Sequence, residues 1–159
     1  MQWQQDIDQF IELAQKFEVR MILIGGGAVN FHGYQRSSVD VDFWIDTQEE
    51  NLNKLIKVFQ AMGYDIESFP DKVKNQMQNI SVKFSYDIEL ELITKFEIEK
   101  TFDEAYKEAK IAEKKGKKIL YWRVLSYEDL ITSKIKSGRP KDLLDIQQLE
   151  KIRKQNKLK

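Results

Sequence analysis

The sequence contains no cysteine. This absence excludes disulfide bonds, thiolate zinc sites and cysteine nucleophiles together. Histidine occurs once, as His32, and proline only twice in 159 residues. No charged start followed by an apolar segment marks a signal peptide, and no apolar run is long enough to cross a bilayer. We therefore expect a cytoplasmic protein that does not enter a membrane.

The remaining composition is that of an ordinary globular protein, with 42% hydrophobic and 33% charged residues. Its length predicts a single domain over residues 1–159, with a core over about 1–125 and C-terminal helices over about 126–159. The net charge is zero, but residues 107–159 contain 16 Lys or Arg against 7 Asp or Glu. This asymmetry is a modest indication of a polyanionic partner such as RNA, and it is also typical of solvated helix faces.

Apolar periodicity predicts helices and strands that alternate along the chain. The predicted helices cover 2–17, 28–32, 47–62, 99–114, 126–138 and the residues from about 140, and the predicted strands cover 19–24, 39–45, 80–84, 88–94 and 118–125. We expect Thr47 to cap the third helix, with Glu50 completing a capping box, and Ser126 to cap a later one. Interleaved strands and helices predict an α/β domain with helices packed on a mixed sheet.

The stretch from Met21 to Ile45 carries the chemistry. It contains an apolar strand that ends in three glycines, and then a second strand with the sequence VDVDFWI. Side chains two apart on a strand share a face, so Asp40 and Asp42 project together. Neighbouring carboxylates in an apolar strand are costly unless a positive charge lies between them. We therefore predict a bound divalent metal ion.

The three glycines lie between a strand and a helix, where a flexible backbone can approach a ligand and direct amides at an anion. A dinucleotide-binding fold would require G-x-G-x-x-G, whose sixth position is Asn30 in this sequence. That fold also places its ribose-binding acid at the end of the second strand, whereas here the acids form a pair within a strand. The pattern therefore favours a glycine turn paired with aspartates.

This combination resembles a known signature. Gly26 and Gly27 with Gly33, followed by Arg36-x-Ser38-x-Asp40-Val41-Asp42, are similar to the motif of nucleotidyltransferases of the DNA polymerase beta-like superfamily. Within it, the sequence is most similar to small bacterial nucleotidyltransferase-like proteins, a group that includes toxins of type IV toxin–antitoxin pairs. The resemblance implies the nucleotidyltransferase fold, an α/β (α+β) architecture with a mixed sheet flanked by helices and a C-terminal helical pair.

The resemblance also implies roles for the motif residues. Gly26 and Gly27 would hold the triphosphate of an NTP substrate, and Asp40 and Asp42 would hold Mg²⁺ or Mn²⁺. Arg36 and Ser38 would lie where the phosphate tail passes. Arg36 would either clamp phosphate in a bidentate manner or neutralise the aspartates.

The family expects a third carboxylate on a neighbouring strand. Alternation places Asp87, Glu89 and Glu91 on one face of the strand predicted over 88–94. The family pattern of an acid between apolar residues fits Glu91 best, although the superfamily more often has Asp there. Glu91 is therefore the predicted third catalytic and metal-binding carboxylate, with Glu89 as the alternative.

A third block resembles a recurring C-terminal element of these small proteins. It comprises Lys134, Arg139, Lys141, Asp142 and Asp145. In relatives the lysine can reach the nucleotide phosphates, so Lys134 is a predicted nucleotide-binding residue. Arg139 and Asp142 are expected to pair and to fix the corner between two helices.

These features predict a metal-dependent nucleotidyltransferase. It would move a nucleoside monophosphate from an NTP to an acceptor hydroxyl of RNA, protein or a small molecule and release pyrophosphate. Such catalysis rests on positioning and charge neutralisation, which agrees with a chain that lacks cysteine. Two alternatives are a nucleotide-binding or partner-binding module without turnover, and a toxin that an antitoxin protein restrains.

Overall fold

A computed structural model describes residues 5–35 and 40–157. In these two ranges the helices are α1 (Gln5–Lys16), α2 (Gly25–Phe31), α3 (Glu49–Ala61), α4 (Asp71–Lys74), α5 (Phe102–Glu108), α6 (Tyr127–Ser137) and α7 (Pro140–Lys157). The strands are β1 (Met21–Ile24), β2 (Asp40–Ile45), β3 (Ile80–Lys83), β4 (Glu89–Ile93), β5 (Lys110–Lys115) and β6 (Ile119–Val124). The predicted α/β (α+β) class is confirmed. None of the described helices is both long and apolar enough to cross a membrane.

The six strands form one mixed sheet in the order β3-β4-β2-β1-β6-β5. Strand β2 runs antiparallel to β1 and parallel to β4. Strands β3 and β4 form one antiparallel hairpin, and β5 and β6 form another. A parallel pair cannot be joined by a tight turn, so α3, α4 and β3 occupy the connection from β2 to β4. The strand that carries the paired aspartates therefore lies inside the sheet.

Helices α1 and α3 cover one face of this sheet. Apolar residues recur along α1 at helical spacing, and its Phe10 contacts both Phe43 of β2 and Phe59 of α3, with ring centroids 6.2 and 5.9 Å apart. Phe43 is completely buried in this contact. Because side chains alternate along β2, packing of Phe43 against these helices directs Asp40 and Asp42 to the opposite face.

Helices α6 and α7 lie toward the opposite face and form the predicted C-terminal pair. Ser126 caps α6, since its hydroxyl accepts a hydrogen bond from the Asp129 amide at 3.1 Å. Gly138 ends the helix in the left-handed conformation, with a φ of 61°. Leu130 of α6 and Leu149 of α7 are completely buried in the same core as the sheet. The predicted limits of α6 are therefore confirmed.

The single helix predicted over 99–114 is wrong. Helix α5 ends at Glu108, and Lys110–Lys115 forms strand β5. Ala, Glu and Lys dominate this segment and favour a helix locally. The pairing of β5 with β6 in a hairpin overrides that preference, because it joins residues that are close in sequence through backbone hydrogen bonds.

Two smaller predictions also differ from the structure. Helix α3 is capped by Gln48 without a side-chain hydrogen bond, so the capping box predicted for Thr47 is wrong. The Thr47 hydroxyl instead accepts a hydrogen bond from Gln76 Nε2 at 2.9 Å. Helix α2 begins at Gly25, three residues before the predicted start, so the glycines form its first turn.

Candidate active site

Four acidic side chains lie together on the face of the sheet opposite α1 and α3. In the parallel pairing of β2 with β4, Asp40 lies opposite Glu89, and Asp42 lies opposite Glu91. The intervening residues Val41, Phe43, Leu90 and Leu92 are buried on the other face. Since neighbouring strands are about 4.8 Å apart, the pairing concentrates negative charge on a small area. The structure thus brings together the predicted metal ligands Asp40, Asp42 and Glu91 and the alternative Glu89.

Asp42 is the most strongly perturbed of these acids. Burial, together with the charges of Glu91, Asp40 and Glu89, raises its pKa to about 6, while the charge of Lys141 opposes this rise. Its Oδ1 atom is buried and has no hydrogen-bond partner among the described residues. An ionised carboxylate in this position is poorly stabilised by the protein, so a bound cation would lower its free energy.

A cavity of about 230 Å³ connects Asp42 to the C-terminal helices. Its polar lining comprises Asp42, Ser133, Lys134, Ser137, Arg139 and Asp142. Gly25, the first residue of α2, also lines this cavity. The predicted acid Asp42 and the predicted phosphate ligand Lys134 therefore face one cavity, with Asp42 on the sheet side and the ion-paired Lys134, Arg139 and Asp142 on the helix side.

Lys134 is held in place by two buried carboxylates. Its Nζ atom lies 3.3 Å from Asp142 Oδ1 and 3.1 Å from Asp145 Oδ2, and only 5% of the lysine is exposed. Arg139 binds Asp142 through its Nε at 2.7 Å and its Nη2 at 3.2 Å, which confirms the predicted pair. Burial alone would raise the pKa of Asp142, but hydrogen bonds from Arg139 and Ser137 and the charge of Lys134 hold it well below its usual range.

The glycines differ in what surrounds them. Gly25 has a φ of +63°, and a Cβ there would lie 2.8 Å from Asp42 Oδ2. A Cβ at Gly27 would lie 2.9 Å from the side chain of Leu23, so packing of α2 on β1 explains that glycine. No side chain caps the start of α2, and Gly26 lies in its first turn. Sequence reasoning named Gly26 and Gly27 and missed Gly25, although its position directly after Ile24, the partner of Asp42, marks it.

Two of the predicted phosphate ligands, Arg36 and Ser38, lie outside the described residues. His32 lies away from the acids, and its Nε2 is 2.7 Å from the carbonyl oxygen of Leu125. Its ring also contacts the edge of Tyr127, with centroids 5.8 Å apart. Burial lowers the pKa of His32, against the opposing effect of the hydrogen bond to Leu125. His32 thus joins α2 to the start of α6.

The acids match one common way of binding Mg²⁺. Among the described residues, no three His, Asp or Glu side chains are arranged to hold a metal ion by themselves. Magnesium usually keeps several waters, and it is bound by one or two carboxylates together with substrate phosphates. Asp42, whose buried Oδ1 has no hydrogen-bond partner within residues 5–35 and 40–157, supplies one such carboxylate, and Glu91 lies on the adjacent strand. The residues present therefore fit a magnesium ion whose coordination is completed by a nucleotide.

Comparison with known families gives one match. Residues 2–157 match the family described as "Nucleotidyltransferase of unknown function (DUF6036)". The matched range includes both acidic strands and the C-terminal helices that line the cavity. Among curated proteins, none matches the chain significantly.

Proposed function

The chain belongs to this family of nucleotidyltransferases of unknown function, and from that premise we propose that it transfers a nucleoside monophosphate from an NTP to an acceptor hydroxyl. The observation that carries the proposal is the pairing of β2 with β4. It sets Asp42 opposite Glu91, and a buried carboxylate oxygen of Asp42 has no hydrogen-bond partner in the part of the chain that the structure describes. A charge of this kind, next to a cavity whose other side carries Lys134 and Arg139, suits a metal-bound triphosphate.

In this proposal Asp40, Asp42 and Glu91 hold Mg²⁺ or Mn²⁺, with Glu89 as the alternative to Glu91. The metal would neutralise charge on the triphosphate and increase the acidity of the acceptor hydroxyl. The raised pKa of Asp42 supports this assignment, because a site that disfavours an isolated negative charge gains most from a cation.

The phosphates would lie on the side of the cavity formed by α2, α6 and α7. The backbone amides of Gly26 and Gly27, together with the ammonium of Lys134, would receive the β- and γ-phosphates. The ion pairs with Asp142 and Asp145 fix the position of Lys134. Arg36 and Ser38 remain proposed contacts of the phosphate tail.

The reaction requires no protein nucleophile. An oxygen of the acceptor attacks the α-phosphorus, the bond between the α-phosphorus and the bridging oxygen breaks, and pyrophosphate leaves toward Lys134. The proton of the acceptor hydroxyl passes to Glu91 or to water. The protein would contribute mainly by orienting the two substrates and neutralising charge.

The test is transfer from each NTP labelled at its α-phosphate, with Mg²⁺ or Mn²⁺ and with bulk RNA, protein extract or small hydroxylated molecules as acceptors. We expect Asp40→Asn and Asp42→Asn to lower the rate about 100-fold or more, because charge stabilisation at the reacting phosphate is lost. The matched control is Asp65→Asn, since Asp65 is exposed and lies outside both acidic strands. Equal rates in wild type and Asp42→Asn would contradict the proposal.

Two other outcomes assign a different function. Tight NTP binding without product in any mixture would indicate a binding module that has kept the fold without turnover. Growth arrest on expression, abolished by Asp42→Asn, would indicate that the transferase acts as a toxin and needs an antitoxin partner. Harmless overexpression of an active transferase would count against the toxin.

A further inference from the structure

The acidic face of the sheet continues past β4 onto the edge strand β3. Ser81 lies opposite Glu91, and Lys83 lies opposite Glu89, in the antiparallel pairing of β3 with β4. Paired residues share a face, so both side chains lie on the same face as the acids. Both are exposed. The acid cluster is therefore exposed on the side away from Gly25 and Lys134. This exposed surface, formed by β4 and β3, ends at Lys83.

An exposed tyrosine lies next to Lys83 at the end of this surface. Tyr86 lies in the turn between β3 and β4, and 93% of it is accessible to solvent. The ammonium of Lys83 lies 5.7 Å from the centroid of its ring. Among residues 5–35 and 40–157, Lys83 makes no ion pair, even though Glu89 is its partner across the strands. The turn thus presents an aromatic face and a positive charge to solvent, three residues from the first acid of β4.

The direction of the proposed reaction gives this turn a role, and the argument rests on that proposed function. In the proposed reaction, Lys134 and the glycine turn would receive the leaving pyrophosphate on the β1 side of β2. In phosphoryl transfer the attacking and leaving oxygens lie roughly in line, so the acceptor hydroxyl approaches from the β4 side. At a strand spacing of about 4.8 Å, the rest of the acceptor would lie over β4 and β3, next to the turn.

We propose that Tyr86 and Lys83 form the acceptor subsite, and that the acceptor is a nucleoside phosphate. Tyr86 stacks on the acceptor base, and Lys83 contacts its phosphate. Tyrosine rings are common stacking platforms for unpaired bases, and a compact ammonium often binds phosphate. The chemistry is the same whether the nucleoside phosphate is free or forms the end of a single-stranded RNA.

The test is a binding measurement that does not depend on turnover. A fluorescently labelled single-stranded RNA of about 12 nucleotides and mixed sequence is titrated with the protein, and its anisotropy is followed. We expect Tyr86→Ala to weaken binding about 10-fold or more, because stacking of one base is lost, and Tyr86→Phe to bind like wild type. The matched control is Tyr121→Ala, because Tyr121 is 43% exposed and lies on β6, on the other side of β1.

Lys83 and the source of the acceptor are tested with the same probe. Lys83→Gln should reduce the slope of log affinity against log salt by about one, as expected for the loss of one phosphate contact. Unlabelled nucleoside monophosphates are added as competitors. If nucleoside monophosphates displace the labelled RNA at concentrations close to those at which unlabelled RNA does, the acceptor is a free nucleotide. If only unlabelled RNA displaces it, the acceptor is the end of a strand.

The outcomes separate this inference from the proposed function. Equal binding of the labelled RNA by Tyr86→Ala and wild type, or no binding of that RNA by wild type, overturns the acceptor subsite. Transfer that depends on Asp42, with an unchanged KM for the acceptor in Tyr86→Ala, also overturns it and leaves the transferase standing. If binding of the labelled RNA depends on Tyr86 but no acceptor receives a nucleotide, the nucleoside phosphate subsite is supported and the proposed transferase function is contradicted.

Discussion

Asp42 shows at the residue scale how a site residue can oppose stability. Its carboxylate is partly buried among Asp40, Glu89 and Glu91, so the folded protein disfavours its charge. An ordinary aspartate has a pKa near 3.8, whereas that of Asp42 is about 6. Between these values the folded state binds more protons than the unfolded state, so stability falls as the pH rises through this window. Above about pH 6 the Asp42 carboxyl is ionised in both states, so its full destabilising effect on the folded protein is present.

We therefore predict that Asp42→Asn stabilises the metal-free protein. The gain in the free energy of unfolding should be on the order of 1 kcal/mol at neutral pH, after allowance for solvent screening of a partly exposed group. It should shrink toward zero as the pH is lowered from about 6 to about 4. Urea unfolding with a chelator present, at several pH values, measures it. A variant that is less stable than wild type at neutral pH would contradict the prediction.

Asp142 has the opposite effect on stability. It is completely buried and binds both Arg139 and Lys134. We predict that Asp142→Asn lowers the free energy of unfolding by about 3 kcal/mol, because the variant breaks a buried ion pair and leaves Lys134 in its buried site with one partner fewer. The control is Glu150→Gln on the exposed side of the same helix, which should change it by less than about 0.5 kcal/mol. Denaturant unfolding measures both variants.

The pH dependence of this contribution follows from the lowered pKa of Asp142. The unfolded carboxyl titrates near its ordinary value of 3.8 and the folded one below it. The stabilisation is therefore fully present above about pH 4 and is lost as the pH falls further. The difference between wild type and Asp142→Asn should accordingly narrow on acidification. If the difference in the free energy of unfolding between the two proteins did not change with pH, packing alone would explain the lower stability of Asp142→Asn.

At the scale of single elements, the first turn of α2 depends on Gly25. Gly25 and Gly138 have nearly the same φ, +63° and +61°, so alanine at either position meets similar backbone strain. A Cβ at Gly138 would make only ordinary contact, 3.5 Å from the Ile135 carbonyl oxygen, whereas one at Gly25 would lie 2.8 Å from Asp42 Oδ2. Alanine at Gly138 therefore tests backbone strain alone, whereas alanine at Gly25 adds displacement of the Asp42 carboxylate to the same strain.

We predict that Gly138→Ala costs about 1 kcal/mol of stability and leaves transfer intact, whereas Gly25→Ala also removes most of the transfer activity. Thermal unfolding and the α-labelled NTP assay, run on both variants, measure the two effects. Equal activity in the two variants would show that the approach of Gly25 to Asp42 does not matter for the reaction.

The helices and strands also show which parts of the fold can be predicted from the sequence. The limits of α6 were predictable because Ser126 and Gly138 act within a few residues of themselves. Strand β5 was not, because its residues favour a helix and become a strand only through pairing with β6. The shared face of Asp40 and Asp42 follows from alternation alone. Their proximity to Glu89 and Glu91 depends on a parallel pairing that only the folded sheet reveals.

At the scale of the whole molecule, the uneven charge of the sequence is partly balanced by the fold. Lys114 binds Asp8, and Lys118 binds Glu12, so the basic β5–β6 hairpin lies along the acidic side of α1. Exposed pairs of this kind contribute little to stability. They do show that the excess of positive charge in residues 107–159 is not all available to a polyanion.

We predict that the described chain unfolds in one cooperative step, as a single domain does. Leu130 and Leu149 of the C-terminal helices are completely buried in the same hydrophobic core as Leu23 of β1, so the helical pair has no separate core of its own. Differential scanning calorimetry should give one transition whose calorimetric and van't Hoff enthalpies agree. An earlier transition confined to the C-terminal helices would contradict this prediction.

The alternation of β4 limits how its length can vary. Inserting one residue between Glu89 and Glu91 would rotate one glutamate into the space that Leu90 or Leu92 fills, while a leucine took its place above Asp42. The sheet would then lose part of its core and one of its acids in a single event. The five positions of β4 can therefore change only by substitution.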